Sequence, residues 1–545
     1  MKVPKVSLVL GLTVCLASLP GAALAQHDHR HEGTPPDKLG TVHFATSCSP
    51  DVEKDFDRAV AMLHSFWFSA AIESFNGVLA KDPDCAMANW GIAMSWWGNP
   101  FGGFRSPKAI EEGTAASQKA KAANAKTERE RDYIAAVETL YKDAGTVDQR
   151  TRTLAYEKAM EQVAAKHADD TEARIFYALS LDQTSLPTDK TYGNLLKAAE
   201  ILEKEFEAQP DHPGIAHYII HSYDVPSLAP RALEAARRYA KIAPDAPHAL
   251  HMPSHTFTRV GYWQDSIETN LASAAAARKD NAATEELHAL DYQVYAYLQT
   301  AQDGAAGKVV EEAPAIGAKI QMNAPGAAAP APAGFFALAA IPARFALERN
   351  AWSEAAALTP HETPFAWPDA VTYFARALGA ARSGKPAAAK KDVEKLASLR
   401  QKLVQAKDAY WSGQVDIQAR AASAWIAYAE GRKDEAVSMM REAAEREDAT
   451  EKSAVTPGPL KPARELLGEM LLESGKPAEA LKEFEATIEK EPNRFRGVYG
   501  AAVAAEQAGD PAKAKTYYGQ LLQICERGDA GRRPELEAAK KASGG

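Results

Sequence analysis

Small and large apolar residues recur along this chain at helical spacing, and each apolar run ends near a proline. In the segment FWFSAAIESFNGVLAKDPDC, the residues Ala71, Phe75, Val78 and Pro83 stand at offsets of zero, four, seven and twelve. A segment near the C-terminus has the same offsets, with Ala480, Phe484, Thr487 and Pro492. Residues three or four apart share one helix face, and proline stops a helix. The pattern predicts antiparallel helix pairs that repeat about every 34 residues.

This pattern resembles the tetratricopeptide repeat. Four segments are similar to a group of exported bacterial proteins with such repeats and no assigned reaction: LHSFWFSAAIESF, DPDCAMANWGIAMSWWGNPF, HALHMPSHTFTRVGYWQDSI and LHALDYQVYAYLQ. The resemblance implies an all-α superhelical solenoid whose first helices line a concave groove. In the superfamily that groove binds peptides or partner proteins.

Breaks in the pattern predict the domain organisation. Residues 51–321 form an N-terminal array and residues 335–527 a C-terminal array, separated by a Pro/Ala-rich loop or hinge at 322–334. A second irregular loop covers 446–462. The charged tail, residues 528–545, is expected to fray.

The N-terminus predicts export. Lys2 and Lys5 precede an apolar run, and Ala23-Leu24-Ala25 provides a small-x-small cleavage site, so residues 1–25 are predicted to be a signal peptide cut after Ala25. A lipid anchor at Cys15 is the alternative. The His-rich residues 26–50 are expected to be disordered. The mature chain should be periplasmic or secreted, with no membrane span.

Histidines are concentrated in one stretch. Six of the chain's 14 histidines lie between His212 and His255. His217 and His221 are four residues apart, as are His251 and His255, so each pair can share a helix face. Pro253 complicates the second pair, because it either starts a helix there or kinks one.

The register of the repeat brings these residues together. If units begin at Pro213, Pro247 and near Leu287, their second, fifth and ninth positions hold His217, His221, His248, His251, His255, His288, Asp291 and Tyr295. The resemblance implies that these positions face the groove. The first seven are the candidate metal ligands. Ordinary buried or surface histidines are the alternative.

All-imidazole ligation suits zinc, copper or nickel better than magnesium or calcium, and an added carboxylate from Asp291 or Glu286 would shift the balance towards zinc or iron. Copper, zinc and iron therefore stay open. Three or more histidines per ion would permit a coupled copper pair.

Further residues are candidates for the groove wall and for a disulfide. Trp90, Met94, Trp97, His64 and Tyr295 are predicted to face a groove ligand, with helix packing as the alternative. Cys48 and Cys85 are predicted to pair in an oxidising compartment, with free thiols as the alternative.

Composition and missing motifs restrict the function. A net charge of −9 argues against nucleic-acid binding. No Walker loop, G-x-G-x-x-G, G-x-S-x-G or H-E-x-x-H motif occurs, so no nucleotide cofactor is expected. Three hypotheses follow: an exported scaffold that binds a protein, peptide or small molecule beside a His-ligated metal, a metal-dependent hydrolase or oxidoreductase in the same groove, or a metal-free peptide-binding protein.

Overall fold

Every regular element in the described part of the chain is helical. The computed structural model describes residue 1, residues 38–323 and residues 327–543, and no β-strand occurs among them. The first half contains α1 Glu53–His64, α2 Phe68–Lys81, α3 Ala86–Trp97, α4 Pro107–Ala122, α5 Glu128–Tyr141, α6 Gln149–Lys166, α7 Thr171–Thr184, α8 Gly193–Ala208, α9 Pro213–Ser222, α10 Leu233–Ile242, α11 Pro247–His251, α12 Pro253–Arg259, α13 Trp263–Lys279, α14 Ala283–Gln299 and α15 Asp303–Gly317. The second half contains α16 Ala331–Glu348, α17 Trp352–Ala356, α18 Ala366–Arg382, α19 Pro386–Gln405, α20 Ala409–Ala429, α21 Lys433–Asp448, α22 Ala463–Glu473, α23 Pro477–Lys490, α24 Phe495–Gln507, α25 Pro511–Ile524 and α26 Pro534–Ser543. Two short 3₁₀ helices span Pro50–Val52 and Ala229–Ala232.

Glycine–proline turns join helices in the C-terminal half. Gly475 has φ +72° after α22, and Pro477 begins α23 two residues later. Gly509 (φ +82°) and Pro511 do the same between α24 and α25. Glycine adopts the left-handed conformation without a steric penalty, and proline at the first helical position loses no hydrogen bond. These short sequences therefore end one helix and start the next.

The repeated phenylalanine packs against glycines of neighbouring helices. Phe75 on α2 lies so close to Gly91 on α3 that a Cβ there would meet its ring at 2.2 Å. Phe484 on α23 lies between Gly468 and Gly500 in the same way, at 2.8 Å and 2.3 Å. The shared offsets of the two segments thus correspond to the same packing. The predicted all-α, tetratricopeptide-like solenoid is confirmed.

The core follows the order of the helices. Three hydrophobic clusters cover residues 39–257 with Ala328, residues 263–341, and residues 301–539. Residues 38–545 group as one compact unit. None of the described helices is both long and apolar enough to cross a membrane.

The N-terminal prediction of disorder is wrong for the described residues. Leu39, Val42 and Phe44 are buried, and Phe44 packs on Trp90 with ring centroids 5.2 Å apart. These apolar residues anchor the segment to the first repeats. The predicted signal peptide and the histidines at 27–31 lie outside the described residues.

Two other segments are more ordered than expected. In the predicted hinge, Ala328 and Ala329 are buried, and the Ala328 carbonyl accepts a hydrogen bond of 2.7 Å from Asn99. The tail does not fray over its described length: it forms α26, and the buried Arg533 before it donates to both carboxylate oxygens of Asp303. Tertiary ion pairs and alanine burial, which the local sequence does not reveal, hold both segments.

The crossing loop, which is the irregular segment of residues 449–462 between α21 and α22, reaches the N-terminal half. Lys452 donates to Asp224 at 3.0 Å, and the Glu451 amide donates to the Pro187 carbonyl at 2.8 Å. Tyr292 donates to the carbonyls of Ala454 and Thr456, both at 3.1 Å. This loop covers the face on which the histidines lie.

Candidate metal centre

Four helices bring six histidines into one buried cluster. His217 and His221 lie on α9, His248 and His251 on α11, His255 on α12, and His288 on α14; all six are buried. Pro253 does divide the helix, but Met252 at the junction keeps helical dihedrals of −55° and −36°. Because the helical path continues through Met252, His251 and His255 still lie one above the other.

The cluster consists of two groups of three. The first trio is His217, His221 and His248, and the second trio is His251, His255 and His288. In each trio, one nitrogen from every ring lies within 4.8 Å of the others. The Nε2 atoms of His217 and His221 are 3.2 Å apart, and those of His251 and His255 are 3.1 Å apart.

Outer hydrogen bonds fix the tautomers of three rings. His217 Nδ1 donates to the His64 carbonyl at 2.7 Å. His251 Nδ1 donates to Asn270 Oδ1 at 2.7 Å, because the amide nitrogen of Asn270 donates to the Ser266 carbonyl. His255 Nδ1 donates to the Asp224 carboxylate at 3.0 Å. A neutral ring that donates through Nδ1 has its lone pair on Nε2.

Burial favours the neutral form of the histidines in the second trio. It lowers the pKa of His251 well below the ordinary value, and His288 and His255 lower it further. Burial also lowers the pKa of His255, which Asp224 only partly offsets. In neutral rings that donate through Nδ1, the two Nε2 atoms that are 3.1 Å apart would face each other with their lone pairs.

The third ring of each trio has unsatisfied nitrogens. Neither nitrogen of His248 has a hydrogen-bond partner among the described residues, and His288 Nδ1 has none there either. A buried polar atom without a partner costs about 1–3 kcal/mol. The cluster thus holds more electron-pair donors than the surrounding protein satisfies.

A small cavity lies between the two trios. It has a volume of about 20 Å³, and its walls include His221 and His248 from the first trio and His255 and His288 from the second. Ala328 and Ala454 help to close it. The space is about that of one water molecule or ion.

A carboxylate network supports the second trio from outside. Asp224 accepts from Arg259 at 2.8 Å and from Lys452 at 3.0 Å as well as from His255. Although burial opposes ionisation, the charges of Lys452 and Arg259 hold the pKa of Asp224 well below its usual value. An ionised Asp224 orients the His255 ring.

A larger cleft of about 980 Å³ adjoins the cluster. His221 and Asp224 contribute to its wall, together with Lys452 from the crossing loop. Phe101 stacks on His221, with ring centroids 3.9 Å apart. His221 therefore belongs to both the histidine cluster and the cleft.

Another group with metal-binding residue types has a complete hydrogen-bond network. His64 and His212 each donate through Nε2 to one oxygen of Glu172 at 2.9 Å. Their Nδ1 atoms accept from the Tyr218 hydroxyl and the Ile215 amide. All four imidazole nitrogens are used, so this network leaves no ring lone pair for a metal.

Asp291 does not join the cluster. Both of its oxygens accept from the buried Arg344, at 2.8 Å and 3.3 Å, so the prediction of Asp291 as a ligand is wrong in this structure. Glu286 pairs with Arg278 instead. The prediction failed because Arg344 lies 53 residues away in sequence.

The five predicted groove residues lie in the interior rather than on the cleft wall. Trp90 packs on Phe44, Tyr133 and Phe176. The Met94 sulfur accepts a hydrogen bond from Tyr156, and the Trp97 ring makes cation–π contacts with two arginines. His64 belongs to the Glu172 network, and the Tyr295 hydroxyl accepts a hydrogen bond from Arg494. Further helices and the crossing loop cover the face that the repeat register predicted to be open. Cys48 and Cys85 form a disulfide.

Several residues of the site were not identified from the sequence. Asp224 follows His221 by three residues, so helical spacing could have indicated it. Asn270 and Lys452 have no comparable signal, because they reach the cluster only through tertiary packing.

Comparison with solved structures finds repeat proteins at low identity. A tetratricopeptide repeat protein from Parabacteroides merdae is 13% identical, with 55% of this chain and 97% of that chain covered and a TM-score of 0.28. The human IFIT1 dimer with PPP-AAAA is 12% identical, with 76% and 87% covered and a TM-score of 0.37. The APC/C hetero-tetramer Cut9–Hcn1 is 11% identical, with 89% of each chain covered and a TM-score of 0.34.

The tetratricopeptide-like character of the fold rests on its own antiparallel helix pairs and phenylalanine–glycine packing. No family model matches the chain, and no curated protein matches it. Because the reported TM-scores lie below 0.5, any function must be argued from the histidine cluster and its cleft.

Proposed function

We propose that this protein is an exported tetratricopeptide-like scaffold that holds two transition-metal ions, one in each histidine trio, and binds a ligand in the adjoining cleft. The observation that carries the proposal is the approach of two Nε2 atoms, those of His251 and His255, to 3.1 Å, in rings that both donate through Nδ1. Facing lone pairs repel each other, and a cation between them converts that repulsion into two favourable bonds.

The spacing fits shared coordination. Metal–imidazole bonds of about 2.0–2.1 Å at angles between 90° and 109° place two nitrogens about 2.8–3.4 Å apart. Both Nε2 pairs fall in this range, at 3.1 Å and 3.2 Å. Donation from Nδ1 to a carbonyl, an amide and a carboxylate is the outer arrangement that metal-bound histidines usually have.

The donor set favours copper or zinc. Each trio offers three imidazoles and no carboxylate among the described residues, and imidazole suits both metals. Iron becomes less suitable, because Asp291 is engaged by Arg344. Export rests on the predicted signal peptide, and the acidic composition argues against nucleic acid as the ligand.

The metal content of the untagged mature protein tests this proposal. We expect about two equivalents of copper or zinc per chain by elemental mass spectrometry. The His217→Ala/His255→Ala variant should retain well below half an equivalent, since it removes one ligand from each trio. A saturating metal should also raise the melting temperature, because it binds only the folded state.

The matched control replaces two histidines outside the cluster. His43 and His361 are exposed, so His43→Ala/His361→Ala should keep the wild-type metal content. Circular dichroism would establish that both variants are folded. Wild-type protein with negligible metal, and a melting curve that a chelator leaves unchanged, would favour the metal-free peptide-binding hypothesis.

A second candidate function is a metal-dependent enzyme. Three protein ligands leave a coordination position open on each ion, and His221 lies at the cleft wall. Azide added to the copper-loaded protein should then produce a new charge-transfer absorption that saturates. An unchanged spectrum would indicate closed coordination and a structural metal.

A further inference from the structure

The cleft beside the histidine cluster has the size of a small-molecule site. Its volume of about 980 Å³ is at the upper end of the range of about 300–1,000 Å³ that such sites occupy. It lies between the loop at Pro100–Phe104 and the C-terminal segment that contains Trp367 and Trp411. An occupant here would lie next to His221.

Aromatic side chains form much of the cleft wall. Trp367 and Trp411 lie parallel, with ring centroids 4.0 Å apart and an angle of 7°. Phe104 and Phe365, which also line the cleft, contact each other edge to face with ring centroids 5.2 Å apart. Flat apolar faces of this kind favour a planar aromatic ligand.

Two polar atoms in the wall lack hydrogen-bond partners among the described residues. Asp182 is 4% exposed; its Oδ2 accepts from Ser222, but its Oδ1 has no hydrogen-bond partner among the described residues. The amide nitrogen of neighbouring Gln183 has none there either. Both residues line the cleft. Leaving such buried groups unpaired is costly, and a ligand hydroxyl can both donate and accept.

The charges of the cleft favour a neutral ligand. Burial raises the pKa of Asp182 well above its usual value, and among the described residues only the hydrogen bond from Ser222 opposes that effect. Asp224 is neutralised by Lys452 and Arg259. The remaining charged residues of the lining are of both signs, so neither a cationic nor an anionic ligand is clearly favoured there: Asp148, Asp369, Asp408, Glu451, Arg150, Lys402 and Lys407.

We infer that the cleft binds a small neutral phenol, with its ring against the aromatic wall and its hydroxyl bonded to Asp182 and Gln183. This inference deepens the proposed function by naming the ligand class, and it rests on that function only for any chemistry after binding. Binding itself needs no metal. The proposed metal site and the proposed phenol site can therefore be tested and refuted separately.

Calorimetric titration of the metal-free protein with p-cresol tests the inference. We expect saturable one-to-one binding, with toluene at least ten times weaker because it leaves Asp182 and Gln183 unpaired. Asp182→Leu and Trp411→Leu should each weaken p-cresol binding at least ten-fold. Trp96→Leu is the matched control, since Trp96 lies outside the cleft wall, and it should bind like the wild type.

The ligand comparison on wild-type protein does not depend on whether the variants fold. No saturation with p-cresol, or equal affinity for p-cresol and toluene, overturns the inference. Tighter binding of benzylamine than of p-cresol also overturns it, because that result would assign the site to a cationic ligand. Folded Asp182→Leu and Trp411→Leu variants with unchanged affinity would show that p-cresol binds elsewhere.

Discussion

At the scale of single residues, the histidine cluster is defined by its outer hydrogen bonds as much as by its rings. The Glu172 network and the two trios contain similar residue types, yet only the trios leave ring lone pairs unused. The Glu172 network and the trios differ in which ring nitrogen donates its proton and in the acceptor of that hydrogen bond. Glu172 accepts the Nε2 protons of two imidazoles, whereas in the trios three rings donate through Nδ1 to a carbonyl, an amide oxygen or a carboxylate, which leaves the lone pair on Nε2.

Asn270 allows this distinction to be tested within the second trio. Asn270→Ala removes the acceptor of His251 Nδ1, so the ring is no longer held in one tautomer. We expect metal affinity at the second trio to fall about 10–100-fold, with the first trio unchanged, as measured by competition with a chelator. Asn76→Ala, at an exposed asparagine, is the control. An equal loss at both trios would contradict the role assigned to Asn270.

At the scale of elements, the repeat is held together by one phenylalanine and the glycines facing it. Phe484 touches Gly468 on α22 and Gly500 on α24, so a single ring connects three consecutive helices. Phe75 and Gly91 make the same contact near the N-terminus. Close helix approach here depends on the missing Cβ.

Two glycines of neighbouring helices should therefore respond oppositely to alanine. In Gly500→Ala the new Cβ meets the Phe484 ring at 2.3 Å, and the overpacking should cost about 1–3 kcal/mol of unfolding free energy. In Gly519→Ala, at an exposed position of α25, nothing lies within 4 Å of the new Cβ, and the substitution should stabilise the protein by about 0.4–1 kcal/mol. Urea denaturation of both variants measures the difference. Equal stabilities would show that the ring can move aside.

At the scale of the whole molecule, buried charges connect helices that are distant in sequence. Arg494 donates to Glu465 at 2.7 Å, to the Tyr295 hydroxyl at 2.9 Å, and also to Glu348. Lys461, at the end of the crossing loop, donates to Glu465 at 3.1 Å. This network joins α14, α16, α22 and the residues before α24.

The network predicts a loss of stability in acid. Burial alone would raise the pKa of Glu465, but the charges of Arg494 and Lys461 lower it to about 2. Because the folded pKa lies below the ordinary value of 4.5, the stabilisation is present above about pH 4.5 and is lost as the pH falls towards 2. Glu465→Gln should cost about 3–5 kcal/mol at pH 7 and flatten the pH dependence in this window.

Urea midpoints between pH 7 and pH 3 measure this effect. Glu489→Gln, at an exposed glutamate on α23, should follow the wild-type curve. If Glu465→Gln keeps the full acid dependence, other carboxylates cause it.

The sequence by itself determined the helices, their repeat and the grouping of histidines. Apolar offsets, glycine–proline turns and four-residue histidine spacing are local signals, and a helix converts them directly into shared faces. These signals predicted all six histidines of the cluster. His251 and His255 still share a helix face despite Pro253, because Met252 keeps helical dihedral angles.

Only the tertiary structure decided what covers those faces. Asp291 accepts hydrogen bonds from Arg344, and Trp90 packs against Phe44 in the core. Lys452, from the C-terminal half, donates to Asp224. Each contact joins residues far apart in sequence, and its partner is selected by the packing of the whole solenoid. Local spacing indicates which side chains share a face, but the long-range fold decides whether that face meets solvent, an ion pair or another histidine.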